Sequence, residues 1–65
     1  MPSAVIRSIG YYPQRQQLFV TFVTRKTYVY EDVPHSVHES FLLSRSRGIF
    51  FNRFIRDRYH CRLAG

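Results

Sequence analysis

The chain has 65 residues, ten Lys or Arg against four Asp or Glu, and a formal net charge of +6. This length allows one small domain, residues 1–65. The single cysteine has no disulfide partner, so the domain must be stabilised by packing alone, and six Phe and five Tyr supply its core. No apolar run is long enough to span a membrane, and the N-terminus lacks the order of a signal peptide. We therefore expect a soluble, cytoplasmic protein with no membrane partner.

The basic charge is concentrated in the last third of the chain. Residues 1–44 carry +1, from four basic and three acidic side chains, whereas residues 45–65 carry +5, from six basic side chains and one acidic. Nine of the ten basic residues are arginine, whose planar guanidinium matches phosphate better than the ammonium group of lysine does. This composition points to polyanionic partners, and to nucleic acid first.

Three segments have the alternating apolar and polar pattern of β-strands. The first strand runs from Val5 to Tyr12 and is ended by Pro13, which cannot continue a ladder in the middle of a sheet. Its pattern leaves open which of its faces is buried. Two further strands lie within residues 17–31 and form a hairpin. The positions that we expect on the covered face of this hairpin are Leu18, Val20, Phe22, Tyr28 and Tyr30.

A helix is expected directly after the strands. It begins at about Pro34 or Ser36, since proline suits the first turn of a helix, and it ends at about Leu43. Ser36 and Glu39 have the spacing of a capping box. Phe41 lies on the apolar stripe of this helix and is expected to pack against the sheet.

A second helix begins near Gly48 or Ile49, with Ser46 as its N-cap. Ile49 and Phe50 lie away from the centre of its apolar side, so we expect at least one of them to be partly exposed. Residues 60–65 have no period and are expected to fray. One broad side of the helical wheel holds Phe51, Phe54, Ile55, Arg58 and Tyr59.

These elements predict an α+β fold, in which a three-stranded antiparallel β-meander is followed by two short α-helices packed on one face. Gly10, within the first strand, is expected to allow a neighbouring backbone or aromatic ring to approach closely. A monomer is the expected oligomeric state.

An ordered set of residues along nearly the whole chain resembles the KTSC domain. That family takes its name from its occurrence at the C-terminus of some lysyl-tRNA synthetases, and it is also found alone in small bacterial and phage proteins. The resemblance implies a stand-alone domain of about 60 residues, no catalytic site, and RNA binding as the role suggested by the synthetase association. The residues that carry it are Ser8 to Tyr11, Leu18 to Phe22, Tyr28 to Tyr30, Val33, Pro34, Val37, Leu42, Gly48, Phe51, Asn52 and Ile55.

The residues that could hold a metal do not have the spacing of a zinc site. His35 and His38 are three residues apart, but Cys61 directly follows His60, so the usual spacing of paired ligands is absent. Cys61 has no visible partner groups for nucleophilic catalysis, and no glycine-rich phosphate loop occurs. We therefore expect neither a metal, nor a cofactor, nor enzymatic activity.

The candidate binding residues are basic side chains and one aromatic ring. Tyr11 and Tyr12 point to opposite faces of the first strand, so one of them is expected to be accessible for stacking on a base. Tyr28 and Tyr30 would also make a stacking platform, but in so small a domain their burial against the helices is the preferred interpretation. The candidate nucleic-acid-binding residues are Arg45, Arg47, Arg53, Arg56, Arg25, Lys26 and Tyr12.

The expected function is that of a small non-catalytic module that binds RNA through contacts between arginine and phosphate. The alternative is a protein-interaction module in which the basic surface and the apolar side chains of Ile49 and Phe50 dock an acidic partner. Association with a membrane surface is disfavoured, because the second helix is short and its aromatic side chains are needed for the core.

Overall fold

Four antiparallel strands form one sheet in chain order, and two helices lie on one of its faces. The computed structural model describes residues 5–64. The α+β class, the meander and the two helices after it are confirmed, and the sheet has one strand more than the sequence predicted. The elements are β1 (Ile6–Tyr12), β2 (Gln17–Phe22), β3 (Thr27–Tyr30), α1 (His35–Leu43), α2 (Arg47–Phe54) and β4 (Cys61–Leu63).

A β-bulge at Arg7 decides which face of β1 is buried. Ile6 pairs with Phe22, but Ser8 pairs with Thr21, so β1 has one extra residue at this point. Because of that extra residue, Ile6 and Ile9 both pack against the core although they are three positions apart. Strict alternation cannot place both side chains on one face, which is why the sequence pattern was ambiguous here.

The core lies between the helices and the face of the sheet that was predicted to be covered. Leu18, Val20, Tyr30 and Ile55 are at most 4% exposed, as are Phe41 and Phe51, while Phe22 and Tyr28 are partly buried against them. The predicted core is therefore confirmed, and burial explains why Tyr28 and Tyr30 do not form a stacking platform. One fully buried member of this cluster was not predicted, and it is Val33.

Residues 60–64 do not fray, because they contain a fourth strand, and the expectation for the end of the chain is wrong for these residues. Residue 65 lies outside the described residues. β4 pairs with β3, and its two ends are closed by backbone hydrogen bonds from Glu31 N to His60 O (2.8 Å) and from Ala64 N to Thr27 O (2.7 Å). The three residues of β4 are all exposed. Backbone pairing needs no apolar alternation, so a short exposed edge strand leaves little signal in the sequence.

The first helix begins without the predicted capping box. Pro34 is the N-cap, and its carbonyl accepts hydrogen bonds from the amides of Val37 (3.0 Å) and His38 (3.3 Å). Ser36 therefore lies inside the first turn, because proline already has the φ angle that a helix start needs. Glu39 instead forms an ion pair with His35, with 3.6 Å between Oε1 and Nδ1.

The second helix begins as predicted and ends earlier than its apolar pattern suggested. The Ser46 hydroxyl accepts a hydrogen bond from the amide of Ile49 (3.3 Å), which confirms the N-cap. At the other end the amides of Ile55 and Arg56 both bond to Phe51 O, and Ile55 leaves the helical conformation with φ −121°. The expectation that Phe54 packs is wrong, because it is 47% exposed, whereas Ile55 directly after it is fully buried. Among the described residues no helix is long and apolar enough to cross a membrane.

Candidate nucleic-acid interface

All ten basic side chains lie on the surface. Within residues 5–64, only Arg62 among them forms an ion pair, with 3.4 Å between its Nε and Glu31 Oε2. The other nine have no described carboxylate at salt-bridge distance. Most of the positive charge is therefore not compensated within the described part of the protein, and it is available to an anion from outside.

Two candidate arginines flank the start of α2. Arg45 and Arg47 lie on either side of the N-cap Ser46, and both are exposed. The first turn of α2 contains no acidic residue, so the arginines have no local partner there. The start of α2 therefore has two exposed arginines within three residues of sequence.

Two further arginines lie at the other end of the same helix. Arg53 is in the last turn of α2, and Arg56 follows the helix end, held by its amide bond to Phe51 O (2.9 Å). Burial, and then the neighbouring Cys61, raise the pKa of Tyr30 well above its ordinary value. The positive charge of Arg56 opposes this and lowers the same pKa, so Arg56 is near the phenol. Arg56 therefore lies near the junction of the helix layer with β3.

The hairpin turn between β2 and β3 holds Arg25 and Lys26. The amide of Phe22 bonds to Lys26 O (3.0 Å), and the amide of Arg25 bonds to Phe22 O (2.8 Å). Arg25 has a φ of 70°, in the left-handed region that normally favours glycine or asparagine. An arginine at this position costs about 1 kcal/mol of stability relative to glycine.

Of the two adjacent tyrosines, Tyr12 is the accessible one. Tyr11 faces the core side, where its hydroxyl donates to Val33 O (2.6 Å) and its ring stacks on His38 with centroids 4.5 Å apart. Tyr12 is 44% exposed on the opposite face, and the guanidinium carbon of Arg15 lies 6.0 Å from the centroid of its ring. This resolves the alternative that the strand pattern left open.

The seven candidate residues do not form one surface. The four arginines at the ends of α2 belong to the helix layer, and Arg25 and Lys26 lie at one end of the sheet. Tyr12 lies on the face of the sheet that no helix covers, because it alternates with Tyr11, which packs against the core. The structure thus divides the candidates among three places: the helix layer, the β2–β3 turn and the uncovered face of the sheet.

The uncovered sheet face contains residues that the sequence analysis did not single out. We call this surface the open sheet face. Pairing across the strands places its side chains in three rows, to which β4 adds Arg62. The rows are Tyr12, Gln17 and Glu31; Gly10, Phe19, Val29 and Arg62; and Ser8, Thr21 and Thr27.

Two of the three histidines lie on a different element from the cysteine, and only His60 adjoins it. His35 and His38 are on α1, with ring centroids 6.2 Å apart, whereas Cys61 is exposed on β4. Burial, and then the neighbouring His35, lower the pKa of His38. Among residues 5–64, no group of three or more His, Cys, Asp or Glu side chains is arranged to hold a metal ion.

The chain is thus a small α+β protein with an arginine-rich helix layer and an open sheet face, and this arrangement has close relatives. The family model of the KTSC domain matches residues 2–59. The chain belongs to the KTSC domain family.

Individual relatives agree with this assignment over most of their length. A crystal structure of a KTSC domain protein from Yersinia pestis is similar with a TM-score of 0.92 and 37% identity, and the match covers 100% of this chain and 92% of that one. A protein of Tsukamurella paurometabola is 35% identical over 57 residues, which are 88% of this chain and 85% of the relative. An uncharacterized protein of Stutzerimonas stutzeri is 35% identical over 60 residues, 92% and 84% of the respective chains.

Proposed function

We propose that this protein is a non-catalytic module that binds single-stranded RNA through contacts between arginine and phosphate. The observation that carries the proposal is the set of nine exposed basic side chains without an ion pair among the described residues. A guanidinium group forms paired hydrogen bonds with phosphate oxygens and also stacks on bases, so an arginine-rich surface suits a nucleic acid. Release of counterions from the RNA would drive the association.

The accessible aromatic ring favours a single strand over a duplex. Proteins that bind single strands combine a basic surface with aromatic rings on which unpaired bases stack. Tyr12 supplies such a ring, whereas the bases of a duplex are already stacked on each other and are not available to it. The single free Cys61 suits a reducing compartment, so we place this function in the cytoplasm.

The test is a charge reversal on α2, read by fluorescence anisotropy of a labelled single-stranded RNA. Arg53→Glu and Arg56→Glu, made one at a time, should each weaken binding several-fold. Both side chains are exposed and have no carboxylate partner, so circular dichroism melts of the variants should match the parent.

Arg7→Glu, on β1, is the matched control, because it changes the net charge by the same amount at a position outside the candidate set. It should weaken binding less than either variant in α2. If the parent protein does not bind RNA at about 100 µM in low salt, where non-specific binding is already detectable, the proposal is wrong.

The second candidate function is docking of an acidic protein, and exposed apolar side chains favour it. Leu43 is 84% exposed and Ile49 is 47% exposed, and both lie next to the arginines between the helices. An open groove of about 450 Å³ also lies between the helices, lined by Val37, Phe50, Phe54 and Tyr59 among others. The absorbance ratio of the purified protein before and after a high-salt wash separates the two functions, because retained RNA favours the first and clean protein favours the second.

A further inference from the structure

The open sheet face has a composition that the fold alone does not explain. Phe19 is only partly buried there, and Tyr12 is 44% exposed, although the helices already cover the opposite face of the sheet. A sheet face that only meets water is normally polar. Aromatic side chains on such a face are instead typical of proteins that stack unpaired bases on a sheet.

A gap in the side-chain layer lies beside these two aromatic rings. Gly10 pairs with Phe19 across the strands and is two residues from Tyr12 on the same face. A Cβ atom built at Gly10 would meet only the Cβ of Phe19, at 3.8 Å, which is an ordinary contact distance. The sequence-based expectation of a close approach at Gly10 is therefore wrong. The missing side chain leaves open space next to both rings.

Charged and polar groups begin beside Tyr12 and continue across the open sheet face. Arg15 lies over the ring of Tyr12, with 6.0 Å between its guanidinium carbon and the ring centroid. Gln17, which pairs with Tyr12, donates a hydrogen bond from Nε2 to Glu31 Oε1 (3.3 Å), and Glu31 also binds Arg62. The Arg15 guanidinium and the Gln17 amide therefore lie beside Tyr12, whereas Glu31 and Arg62 extend the polar groups across the sheet toward β4. These groups donate and accept the hydrogen bonds that the edges of bases offer.

The pairing of the strands holds these groups in place. Val29, in the same row as Phe19 and Arg62, is only 1% exposed although no helix covers it, so neighbouring side chains of the open sheet face pack over it. The hydroxyl groups of Thr21 and Thr27 are hydrogen-bonded at 2.8 Å one row further along. The floor of the gap is thus built on ordered strands rather than on a loop.

We propose that the open sheet face binds one unpaired base of the RNA, which stacks on Tyr12 and occupies the space left by Gly10 beside Phe19. This inference rests on the proposed function, and it assigns a different role to each side of the protein. The arginines of the helix layer contact phosphates, whereas the open sheet face holds a base on the ring of Tyr12, with Arg15 next to it.

The test fills the gap and removes the ring in separate variants. Gly10→Val places a β-branched side chain in the gap, at a strand position whose φ angle does not require glycine, so the fold should be retained. Tyr12→Ala removes the stacking surface, and Tyr12→Phe preserves it. Gly10→Val and Tyr12→Ala should each weaken binding of a single-stranded RNA of about ten nucleotides by about 5- to 100-fold, whereas Tyr12→Phe should bind like the parent.

A second readout and a matched control accompany the affinities. RNA that carries 2-aminopurine should change its fluorescence when bound by the parent and Tyr12→Phe, because stacking alters that signal, but not when bound by Tyr12→Ala. Phe54→Ala is the control, since Phe54 is 47% exposed, much like Tyr12, but lies in the helix layer. It should bind RNA like the parent.

Any result that differs from these expected affinities and fluorescence changes overturns the inference. If the parent binds RNA, and Gly10→Val and Tyr12→Ala bind equally well in melts that show folded protein, the base site is wrong while the proposed function stands. The base site is also wrong if Phe54→Ala loses as much affinity as Tyr12→Ala. If the parent does not bind RNA at all, the proposed function and the inference both fail.

Discussion

Replacing Phe51 by alanine should remove most of the stability of the fold. Phe51 is 3% exposed, and its ring packs edge-to-face against Phe22 and Tyr30, with centroids 5.3 and 5.5 Å apart. Truncation of a buried phenylalanine costs about 3 to 5 kcal/mol, which includes the loss of such aromatic pairs. A domain of this size is stabilised by roughly 3 to 10 kcal/mol in total. Phe51→Ala should therefore lower Tm by more than about 10 °C or prevent folding.

The assay is unfolding by urea and by heat, followed by circular dichroism, with two comparison variants. Phe51→Leu keeps most of the buried volume and should remain folded, with a smaller loss of stability, so the effect can be measured even if Phe51→Ala does not fold. Phe54→Ala, on the same helix but 47% exposed, should change Tm by only a few degrees. The account of the core is refuted if Phe51→Ala melts within a few degrees of the parent, or if Phe54→Ala is equally damaging.

Three further predictions concern the turn, the histidines and metal. Arg25→Gly should raise the stability by about 1 kcal/mol, because a φ of 70° suits glycine. Thr24→Gly, in the same turn, is the control and should not raise it, and Tm measures both effects. The pKa of His38 is lowered by burial and then by His35, so the imidazole of His38 takes up a proton more readily in the unfolded chain than in the folded protein. Stability should therefore fall as the pH drops below about 6.5, and His38→Gln should weaken this fall in Tm. Zinc or a chelator should leave Tm unchanged, because the histidines of α1 and Cys61 lie on separate elements, and a shift would contradict the account.

The sequence predicted the parts of the fold that depend on local patterns. Alternation in β2 and β3 identified the buried positions such as Leu18 and Val20, and Ser46 marked the start of α2 correctly. These signals are local, because one face of a strand or one hydroxyl at a helix start determines them. The start of α1 was also placed correctly. The predicted capping box is absent there, because Pro34 takes the N-cap position.

The features that the sequence did not predict depend on pairing between distant segments. The bulge at Arg7 is visible only from the register of β1 with β2, and β4 exists because its backbone pairs with β3. Alternation already places Phe19 opposite the core residues of β2, whereas Arg62 can be assigned to the open sheet face only once β4 is known, and the face of β1 that carries Tyr12 only from its register. The basic composition was evident from the sequence, whereas the separation of the candidates among the helix layer, the β2–β3 turn and the open sheet face was not.

The salt dependence of RNA binding tests the central claim most directly. Anisotropy titrations of a labelled single-stranded RNA with the parent protein, repeated over a series of salt concentrations, give the slope of log affinity against log salt. Each phosphate contact with a single strand makes this slope more negative by about 0.7. If the arginines at the two ends of α2 make about four such contacts, the slope should be near −3. A slope near zero, or no detectable binding at about 100 µM protein in low salt, would contradict a role in which arginine contacts to phosphate hold RNA.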